Sequence, residues 1–343
     1  MRIVHVLWSL GTGGTESLLA DIVSEQSRTD CVSLIVVNDI VDEAVLKRIS
    51  KNCRVYFCRR KAKSKNPFPI IKLNILLWML SPDIIHSHMD NLGKYLWFRR
   101  NAKVVRTIHC AMGDENDNAY YDQLFTISNG VKKYTQAQGY DSIVVYNGIH
   151  PELIACKSEH SHQITQIVNV GRLQQVKGQQ VLVEAAHLLK ERNINNFHID
   201  LIGDGENREF LEKMIAKYRL QKEVSLLGLR TRDYIYSKLC SYDLYVQPSI
   251  SEGFGLTISE AMAARVPVLT SDQDGPMEVI DYGKYGMSFK TNQPEDLADK
   301  IELFLNKGTQ VDTFSALNYV KSNFDVKVTA RKYLQEYKKL LEK

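Results

Sequence analysis

The sequence, 343 residues long, predicts an α/β fold made of two doubly wound parallel sheets. Its length suits two domains of roughly 150 residues each. Short apolar runs alternate with helical patterns along the chain, and a polar stretch without periodicity at residues 150–164 separates two such series. Because doubly wound sheets bind ligands at the carboxyl ends of their strands, two facing sheets predict a cleft between the domains.

The first series predicts a domain over residues 1–152. It opens with a β-rich run at residues 2–10, which breaks at the glycine loop Gly11–Gly14 and is followed by apolar residues at helical spacing. Further runs predict buried parallel strands. They lie at 32–37, 55–58, 83–86, 104–108, 124–127 and 143–145.

The second series predicts a domain over residues 153–324 and a terminal helix over residues 325–343. Its predicted strands lie at 164–170, 197–202, 224–227, 244–246, 266–270 and 287–289, with helical patterns at 181–190, 206–218 and 294–305 between them. The last segment carries its apolar residues on one face, which is typical of an amphipathic helix.

Composition indicates a soluble globular protein but no particular function. The charged fraction is 24% and the hydrophobic fraction 44%, both ordinary values. The six cysteines show no C-x-x-C spacing and follow no signal peptide, so we expect reduced thiols and a cytoplasmic location. The longest apolar stretch, Ile70–Leu80, is too short to span a bilayer, so we expect no integral membrane protein.

Positive charge is concentrated in residues 44–82, which contain ten basic residues and no acidic one. These residues are Lys47, Arg48, Lys51, Arg54, Arg59, Arg60, Lys61, Lys63, Lys65 and Lys72. The basic patch Lys47–Lys72 adjoins Ile70–Leu80 and so suits an anionic membrane surface, where each basic residue contributes ~1 kcal/mol. A solvated surface is the alternative, and the scarcity of interleaved aromatics disfavours nucleic acid.

The segment Glu252–Ala263 predicts a phosphate-binding junction between a strand and a helix. It places Glu252 and Glu260 eight residues apart, across a Gly-Phe-Gly turn and the start of a helix near Leu256. The first turn of that helix offers free N–H groups and the positive end of the helix dipole. Gly253 and Gly255 let a bulky phosphate approach the backbone, so a nucleotide diphosphate fits this junction.

A second loop, Gly171–Gly178, follows the first strand of the second series and contains two cations. Arg172 can form a bidentate contact with phosphate oxygens, and Lys177 supplies a mobile point charge beside it. Taken alone, the loop is equally consistent with solvated cations between a strand and a helix.

Together the two loops resemble the retaining nucleotide-sugar glycosyltransferases of family 4, which have the GT-B fold of two Rossmann-like domains. The resemblance rests on G-R-L-x-x-x-K-G at Gly171–Gly178 and E-G-F-G-L-x-x-x-E-A-M-A at Glu252–Ala263. Other matches are Gly203–Gly205, Gln247–Ser249, Pro267–Ser271, Glu278, Gly13–Glu16, His86–His88 and Thr107–His109. They cover nearly all of the second half and scattered positions of the first. The resemblance also implies that the terminal helix, residues 325–343, crosses back to the first domain.

The resemblance implies a role for each matching donor-site residue. Arg172 and Lys177 would hold the diphosphate and stabilise the leaving nucleotide. Glu252 would contact the donor sugar and Glu260 the ribose hydroxyls, while backbone amides complete the cradle. The residues expected to bind the donor are Gly14, Arg172, Lys177, Gly203, Glu252, Gly253, Phe254, Gly255, Leu256 and Glu260.

The first half supplies one further catalytic candidate and an acceptor side. His109 matches a histidine that faces the donor sugar, and it joins Glu252, Arg172 and Lys177 as the expected catalytic residues. Gly13, Glu16 and His88 are expected to line the acceptor side, a simple turn and packed histidines being the alternatives. Because Glu16 stands where the third glycine of G-x-G-x-x-G would be, the loop fails as a dehydrogenase fingerprint.

No metal site and no cofactor are expected. The sequence Asp272-Gln273-Asp274 matches the D-x-D metal signature of a different transferase fold. In the resembled family, however, the loop at this place uses its backbone near the donor, so a metal-binding role is disfavoured.

The resemblance implies a retaining, metal-independent hexosyl- or N-acetylhexosaminyltransferase. The donor would be a nucleotide diphosphate sugar, with a UDP-sugar favoured and a GDP-sugar as the open alternative, and the acceptor a hydroxyl of a bacterial surface polysaccharide or glycolipid. A cytoplasmic protein, peripheral on the inner face of the plasma membrane if the basic patch binds lipid, is expected. Two alternatives stay open: a GT-B-fold sugar-nucleotide epimerase and a non-catalytic subunit of a transferase complex.

Overall fold

The chain forms two compact units in the computed structural model, which describes residues 1–61, 64–111, 115–158, 164–308 and 311–342, without the side chains of 115 and 116. Unit 1 comprises Met1–Gly148 and Asp325–Lys343, and unit 2 comprises Ile149–Phe324. The first unit therefore ends four residues before the predicted boundary at residue 152 and also takes in the terminal segment. Two residues named in the sequence predictions, Lys63 and Lys343, lie outside the described residues.

Unit 1 is built on a seven-stranded sheet with the order β3-β2-β1-β4-β5-β6-β7. All neighbouring strands in it are parallel. The strands are β1 (Arg2–Leu7), β2 (Cys31–Asn38), β3 (Arg54–Arg60), β4 (Ile84–Ser87), β5 (Lys103–Ile108), β6 (Gln123–Thr126) and β7 (Ile143–Val144).

Unit 2 is built on a six-stranded parallel sheet with the order β10-β9-β8-β11-β12-β13. Its strands are β8 (Thr165–Val170), β9 (Phe197–Ile202), β10 (Val224–Gly228), β11 (Leu244–Gln247), β12 (Val268–Ser271) and β13 (Met287–Phe289). Each run predicted as a strand in either half overlaps one of these observed strands, with ends that differ by at most three residues. Two doubly wound parallel α/β units were predicted, and this prediction is confirmed.

Helices connect the strands in both units. In chain order they are α1 (Gly14–Gln26), α2 (Glu43–Arg48), α3 (Phe68–Leu80), α4 (Asn129–Ala137), α5 (Gln179–Glu191), α6 (Arg208–Lys217), α7 (Arg232–Lys238), α8 (Leu256–Ala263), α9 (Asp274–Val279), α10 (Pro294–Lys307), α11 (Thr313–Asn323) and α12 (Val326–Leu341). Within the described parts of the chain, no helix combines the length and the apolar character needed to cross a membrane.

The two faces of the unit 1 sheet differ in character because side chains alternate along each strand. On one face Val4, Val6 and Ile35 pack with Leu73 and Leu77 of α3 in a hydrophobic core. On the other face lie buried polar side chains of the central strands, which contact α1 and α12. Helix α12 thus belongs to the layer that covers the polar face.

In unit 2, α5 and α10 pack together over the sheet. Val181 and Leu182 of α5, with Leu297 and Ile301 of α10, share a fully buried core with strand residues such as Leu201. Burying an aliphatic side chain of this size contributes about 1.5–3 kcal/mol. This core holds the strands rigidly, so the loops at their carboxyl ends begin from fixed positions.

Candidate functional site

The loops after β8 and β11 meet at the carboxyl edge of the unit 2 sheet. The two strands are parallel neighbours, so both loops leave on the same side. They touch at Gly178, whose φ is +71° and where a Cβ atom would lie 1.8 Å from the carbonyl oxygen of Pro248. Only glycine fits that contact, which holds the two loops together.

An ion pair joins the two loops. Lys177 Nζ lies 2.6 Å from Glu252 Oε2, and the two side chains are 26% and 14% exposed. Both residues were predicted from sequence as members of one donor site, from positions 75 apart in the chain. The structure brings them into direct contact at the carboxyl edge of the unit 2 sheet.

Buried hydrogen-bonding side chains lie behind Glu252. Gln247 Nε2 and Ser249 Oγ are each 3.5 Å from Glu252 Oε2, and Gln247 Nε2 also donates to Ser249 Oγ at 2.7 Å. The hydroxyl of buried Tyr245 hydrogen-bonds to Gln247 and, at 2.6 Å, to Thr257. The sequence matched Gln247 and Ser249 by motif, but nothing in it indicated that Tyr245 connects them to Thr257.

Arg172 follows β8 and has an exposed side chain. Its carbonyl oxygen accepts from Gln179 Nε2 at 3.1 Å, which fixes the backbone of the loop. Within the described ranges no ion pair to its guanidinium is found. The two predicted cations therefore differ, since Lys177 is paired with Glu252 whereas Arg172 is open to an incoming anion.

Helix α8 begins beside the ion pair. Gly255 caps it with φ +98°, the helix runs from Leu256, and Glu260 lies one turn further on, partly buried. Phe254 is buried, and its ring meets the ring of Phe324 edge-on at 5.2 Å between centroids. Phe254 can therefore offer a ligand only its backbone, as predicted, while its ring belongs to the core.

Gly203 and Asp272 have structural partners of their own. Gly203, at the end of β9, packs on the neighbouring loop, since a Cβ atom there would lie 2.0 Å from the carbonyl oxygen of Gly171. Asp272 accepts hydrogen bonds from the hydroxyl of Thr291 and from its N–H at 2.9 Å, and these bonds lower the pKa of Asp272. Asp274 lies in the first turn of α9.

The residues predicted in the first half lie at the carboxyl edge of the unit 1 sheet. Gly13 caps α1, Gly14 is its first residue and Glu16 stands in its first turn. His88 follows β4 and His109 follows β5, and their ring centroids are 5.8 Å apart. Gly14 thus lies in unit 1, whereas the other residues predicted to bind the donor lie in unit 2.

A network of buried histidines extends below this edge, and sequence reasoning missed it. His5 hydrogen-bonds to His88 at 3.0 Å and to Gln26 at 2.8 Å. His86 hydrogen-bonds to Thr107 at 2.8 Å and to Tyr337 of α12. Burial lowers the pKa of His5 to about 4 and those of His86 and His88 well below their ordinary value, so these rings are neutral at pH 7.

The rings of His5, His86 and His88 also have the spacing of a metal-binding group, with one nitrogen from each within 4.8 Å of the others. However, both nitrogens of His5 and both nitrogens of His86 already take part in hydrogen bonds. A metal ion would have to displace those partners. The arrangement therefore fits a hydrogen-bonded network that attaches α12 to the sheet better than it fits a metal centre.

A buried arginine, also missed from sequence, lies near His109. Arg106 pairs with Asp90 and with Asp117 and donates to Asn118 at 2.8 Å. Burial, with the charge of Arg106 as the lesser cause, lowers the pKa of His109 to about 4. Its Nε2 is buried and finds no hydrogen-bond partner among the described residues. His109 is therefore a neutral imidazole at pH 7.

The second half of the chain matches a known family. The sequence model described as "Glycosyl transferases group 1" matches residues 154–318. An uncharacterized glycosyltransferase of Methanocaldococcus jannaschii is 27% identical over 65% of this chain and 66% of its own length. The amylovoran biosynthesis glycosyltransferase AmsK of Erwinia amylovora is 32% identical over 47% of this chain and 41% of its own length. The chain thus spans less than two thirds of either relative.

The fold of the whole chain matches solved glycosyltransferase structures. Anabaena Alr3699/HepE, solved in complex with UDP-glucose, superimposes with a TM-score of 0.83 and 20% identity, covering 99% of this chain and 100% of that one. At this identity the likeness concerns the fold alone, and it confirms the predicted GT-B architecture. Residues 154–318 are therefore a glycosyl transferases group 1 domain, in a chain that has the GT-B fold and glycosyltransferase homologues.

Proposed function

We propose that the protein is a retaining, metal-independent glycosyltransferase. It moves a hexosyl or N-acetylhexosaminyl group from a nucleotide diphosphate sugar to an acceptor hydroxyl. UDP is the favoured nucleotide and GDP the second choice, with no cofactor beyond the donor itself. The observation that carries this proposal is the ion pair of Lys177 and Glu252, which joins the loop that contains exposed Arg172 to the segment that leads into α8.

The charges of the site suit a diphosphate. Lys177 and Arg172 bring two positive charges to one strand edge, where the first amides of α8 add the positive end of a helix dipole. Glu252 orients the ammonium group of Lys177 and leaves its other oxygen for a sugar hydroxyl. Glu260, one turn into α8, has the chemistry to accept hydrogen bonds from the ribose hydroxyls.

These groups also provide the catalysis that the reaction requires. The bond between the anomeric carbon and the diphosphate oxygen breaks and leaves its electron pair on that oxygen, the acceptor oxygen bonds to the carbon on the same face, and the acceptor proton passes to the departing diphosphate. Negative charge then accumulates on the departing diphosphate. Arg172, Lys177 and the α8 amides stabilise this charge from fixed positions, which is the part a metal ion plays in other transferases.

Unit 1 is proposed to contribute the acceptor side. Gly13, Glu16, His88 and His109 share the carboxyl edge of its sheet. Because His109 is neutral at pH 7, it can hydrogen-bond to a sugar hydroxyl without placing a positive charge near an oxocarbenium-like centre. The amylovoran relative supports a surface polysaccharide or a lipid-linked glycan as the acceptor class.

The test is turnover of UDP-, GDP- and ADP-sugars in EDTA, with and without glycan-lipid acceptors. We expect nucleoside diphosphate release that depends on an acceptor and a product whose anomeric configuration, determined by NMR, equals that of the donor. An inverted product would refute retention, and activity lost in EDTA would refute metal independence. Epimerised donor without any acceptor would identify an epimerase, and no binding of any donor would identify a non-catalytic subunit.

A further inference from the structure

Helix α3 of unit 1 is apolar on its outer side as well as on its inner side. Ile70, Leu73 and Leu77 are buried against the sheet. The opposite side presents a continuous exposed stripe. It consists of Phe68, Ile71, Ile75, Trp78 and Met79, with exposed fractions of 39% to 72%. An exposed row of large apolar side chains is unfavourable in water unless it has a partner.

Two more exposed aromatics are held beside this stripe. Trp97 and Phe98 are 53% and 55% exposed. Their backbone N–H groups donate to Asn74 Oδ1 of α3 at 2.7 and 3.1 Å. Asn74 is fully buried, and its Nδ2 donates at 2.9 Å to the carbonyl oxygen of Tyr95, in the same loop. The buried amide of Asn74 thus fixes the loop on α3, and these hydrogen bonds hold the rings of Trp97 and Phe98 in their exposed positions.

Cations lie among these apolar side chains. Lys72 lies within the stripe, and the guanidinium of Arg100 stands 5.0 Å from the ring centroid of Trp78. Neither residues 44–82 nor residues 91–113 contain an acidic residue. Within the basic patch predicted from sequence, Arg48 is already bound to Asp21 at 2.7 Å. Lys72 and Arg100 therefore bring positive charge directly to this apolar surface.

We propose that this surface docks on an anionic lipid bilayer. We name it the α3 face and define it by Phe68, Ile71, Ile75, Trp78, Met79, Trp97 and Phe98. Apolar side chains would enter the boundary between headgroups and acyl chains, tryptophans occupy the interface that they prefer, and Lys72 and Arg100 meet lipid phosphates. A second copy of the chain fits less well, because it would oppose two cationic rims.

Intrinsic fluorescence provides a direct readout. The chain has three tryptophans, and two of them, Trp78 and Trp97, belong to the α3 face. Titration with vesicles of phosphatidylcholine containing about 30 mol% phosphatidylglycerol should shift tryptophan emission to shorter wavelength and pellet the protein. Phosphatidylcholine vesicles alone, or high salt, should give much weaker binding. Absence of binding to the anionic vesicles would overturn the proposal.

Matched variants localise the binding. Trp97→Ser with Phe98→Ser, and Lys72→Glu with Arg100→Glu, should each weaken vesicle partitioning by at least about tenfold. The controls are Phe210→Ser and Lys238→Glu, which change an exposed aromatic residue and an exposed cation of unit 2 and should leave partitioning unchanged. Equal partitioning of the face variants and the wild type would refute the assignment.

Two further measurements distinguish other outcomes. Unfolding in urea verifies that the face variants are folded, which is expected since the changed side chains are exposed. Nucleotide binding by the same variants should be unchanged, so a failure of membrane docking and a failure of the proposed donor site are separate results. If wild-type protein dimerises without lipid and Trp97→Ser with Phe98→Ser is monomeric, a second copy covers the α3 face and the lipid proposal is wrong.

Discussion

Replacing Lys177 with methionine removes the ammonium group of the donor site and keeps a side chain of similar length. In the folded chain that group lies 2.6 Å from Glu252 Oε2, with both side chains partly exposed. Pairs at such positions contribute only about 0.2–1 kcal/mol to stability. Glu252 also keeps Gln247 and Ser249 as neighbours at 3.5 Å. We therefore expect Lys177→Met to fold, with a free energy of unfolding lowered by less than about 1 kcal/mol.

The effect of Lys177→Met on the rate of sugar transfer should be much larger than its effect on stability. Loss of one positioned group that stabilises charge developing in the transition state costs about 2.7–4 kcal/mol, or a factor of about 10²–10³ in kcat. Steady-state release of nucleoside diphosphate, measured beside urea unfolding of the same preparation, gives both quantities. We expect kcat to fall by at least about 100-fold while stability changes little.

A second lysine of unit 2 provides the matched control. Lys190 Nζ pairs with Glu223 Oε1 at 3.0 Å, and the side chains are 33% and 11% exposed, close to the values for the donor-site pair. Lys190 lies in α5, outside the two loops, so Lys190→Met should cost similar stability and leave kcat unchanged. Transfer by Lys177→Met within about threefold of the wild type would refute the assigned role. An equal loss of kcat in Lys190→Met would also refute that role.

Three other changes have expected outcomes. Gly178→Ala should separate the two loops and so lower both the free energy of unfolding and kcat. The control is Gly283→Ala, at a positive-φ position with open space around it, and Gly178→Ala should cost about 1–3 kcal/mol more than this control. Equal urea midpoints for the two variants would contradict this expectation. Glu260→Gln should raise KM for the donor more than it changes kcat, and an unchanged KM would exclude a ribose contact. Because the folded-state pKa of His5 is depressed to about 4, protons bind preferentially to the unfolded chain, and stability should fall by about 2 kcal/mol between pH 7 and pH 5. Buried His86 adds in the same direction, and urea unfolding that is independent of pH over this range would refute the effect.

The strands and the two loops that meet at the candidate site could be predicted from the sequence because both depend on local patterns. Buried parallel strands are short apolar runs between turn residues, and phosphate sites need glycines and cations at strand ends. The contact between Lys177 and Glu252 follows from their loops, since β8 and β11 are neighbours and Gly178 allows the loops to touch. The strand order itself required the structure.

The histidine network could not be predicted in this way. His86 and Tyr337 hydrogen-bond across 251 positions of sequence, and a buried histidine has no signal that separates it from an exposed one. The return of α12 to the unit 1 sheet creates that contact. Its amphipathic pattern predicted a helix with a partner but does not specify which surface that helix covers. That the helix crosses back to the first domain was implied by the family resemblance alone.

The exposed side of α3 could not be predicted from the sequence for a different physical reason. Apart from Lys72 and Asn74, residues 70–80 are apolar around the whole helix, so the sequence contains no polar stripe to indicate the face that meets water. Only packing distinguishes buried Leu73 from exposed Ile75. Lys72 and Asn74 are the two polar residues in this apolar run, and the role of Asn74 depends on a loop more than 20 positions away.

Calorimetric titration with nucleoside diphosphates in EDTA tests the donor site most directly. We expect one of UDP, GDP or ADP to bind, with UDP favoured, and its parent nucleoside to bind at least about 100-fold more weakly, because Arg172 and Lys177 contact the diphosphate. Removing the charges of both Arg172 and Lys177 should abolish the difference in affinity between the diphosphate and the nucleoside. If no nucleoside diphosphate binds without a metal ion, or if nucleoside and diphosphate bind equally, the site does not hold a diphosphate as proposed.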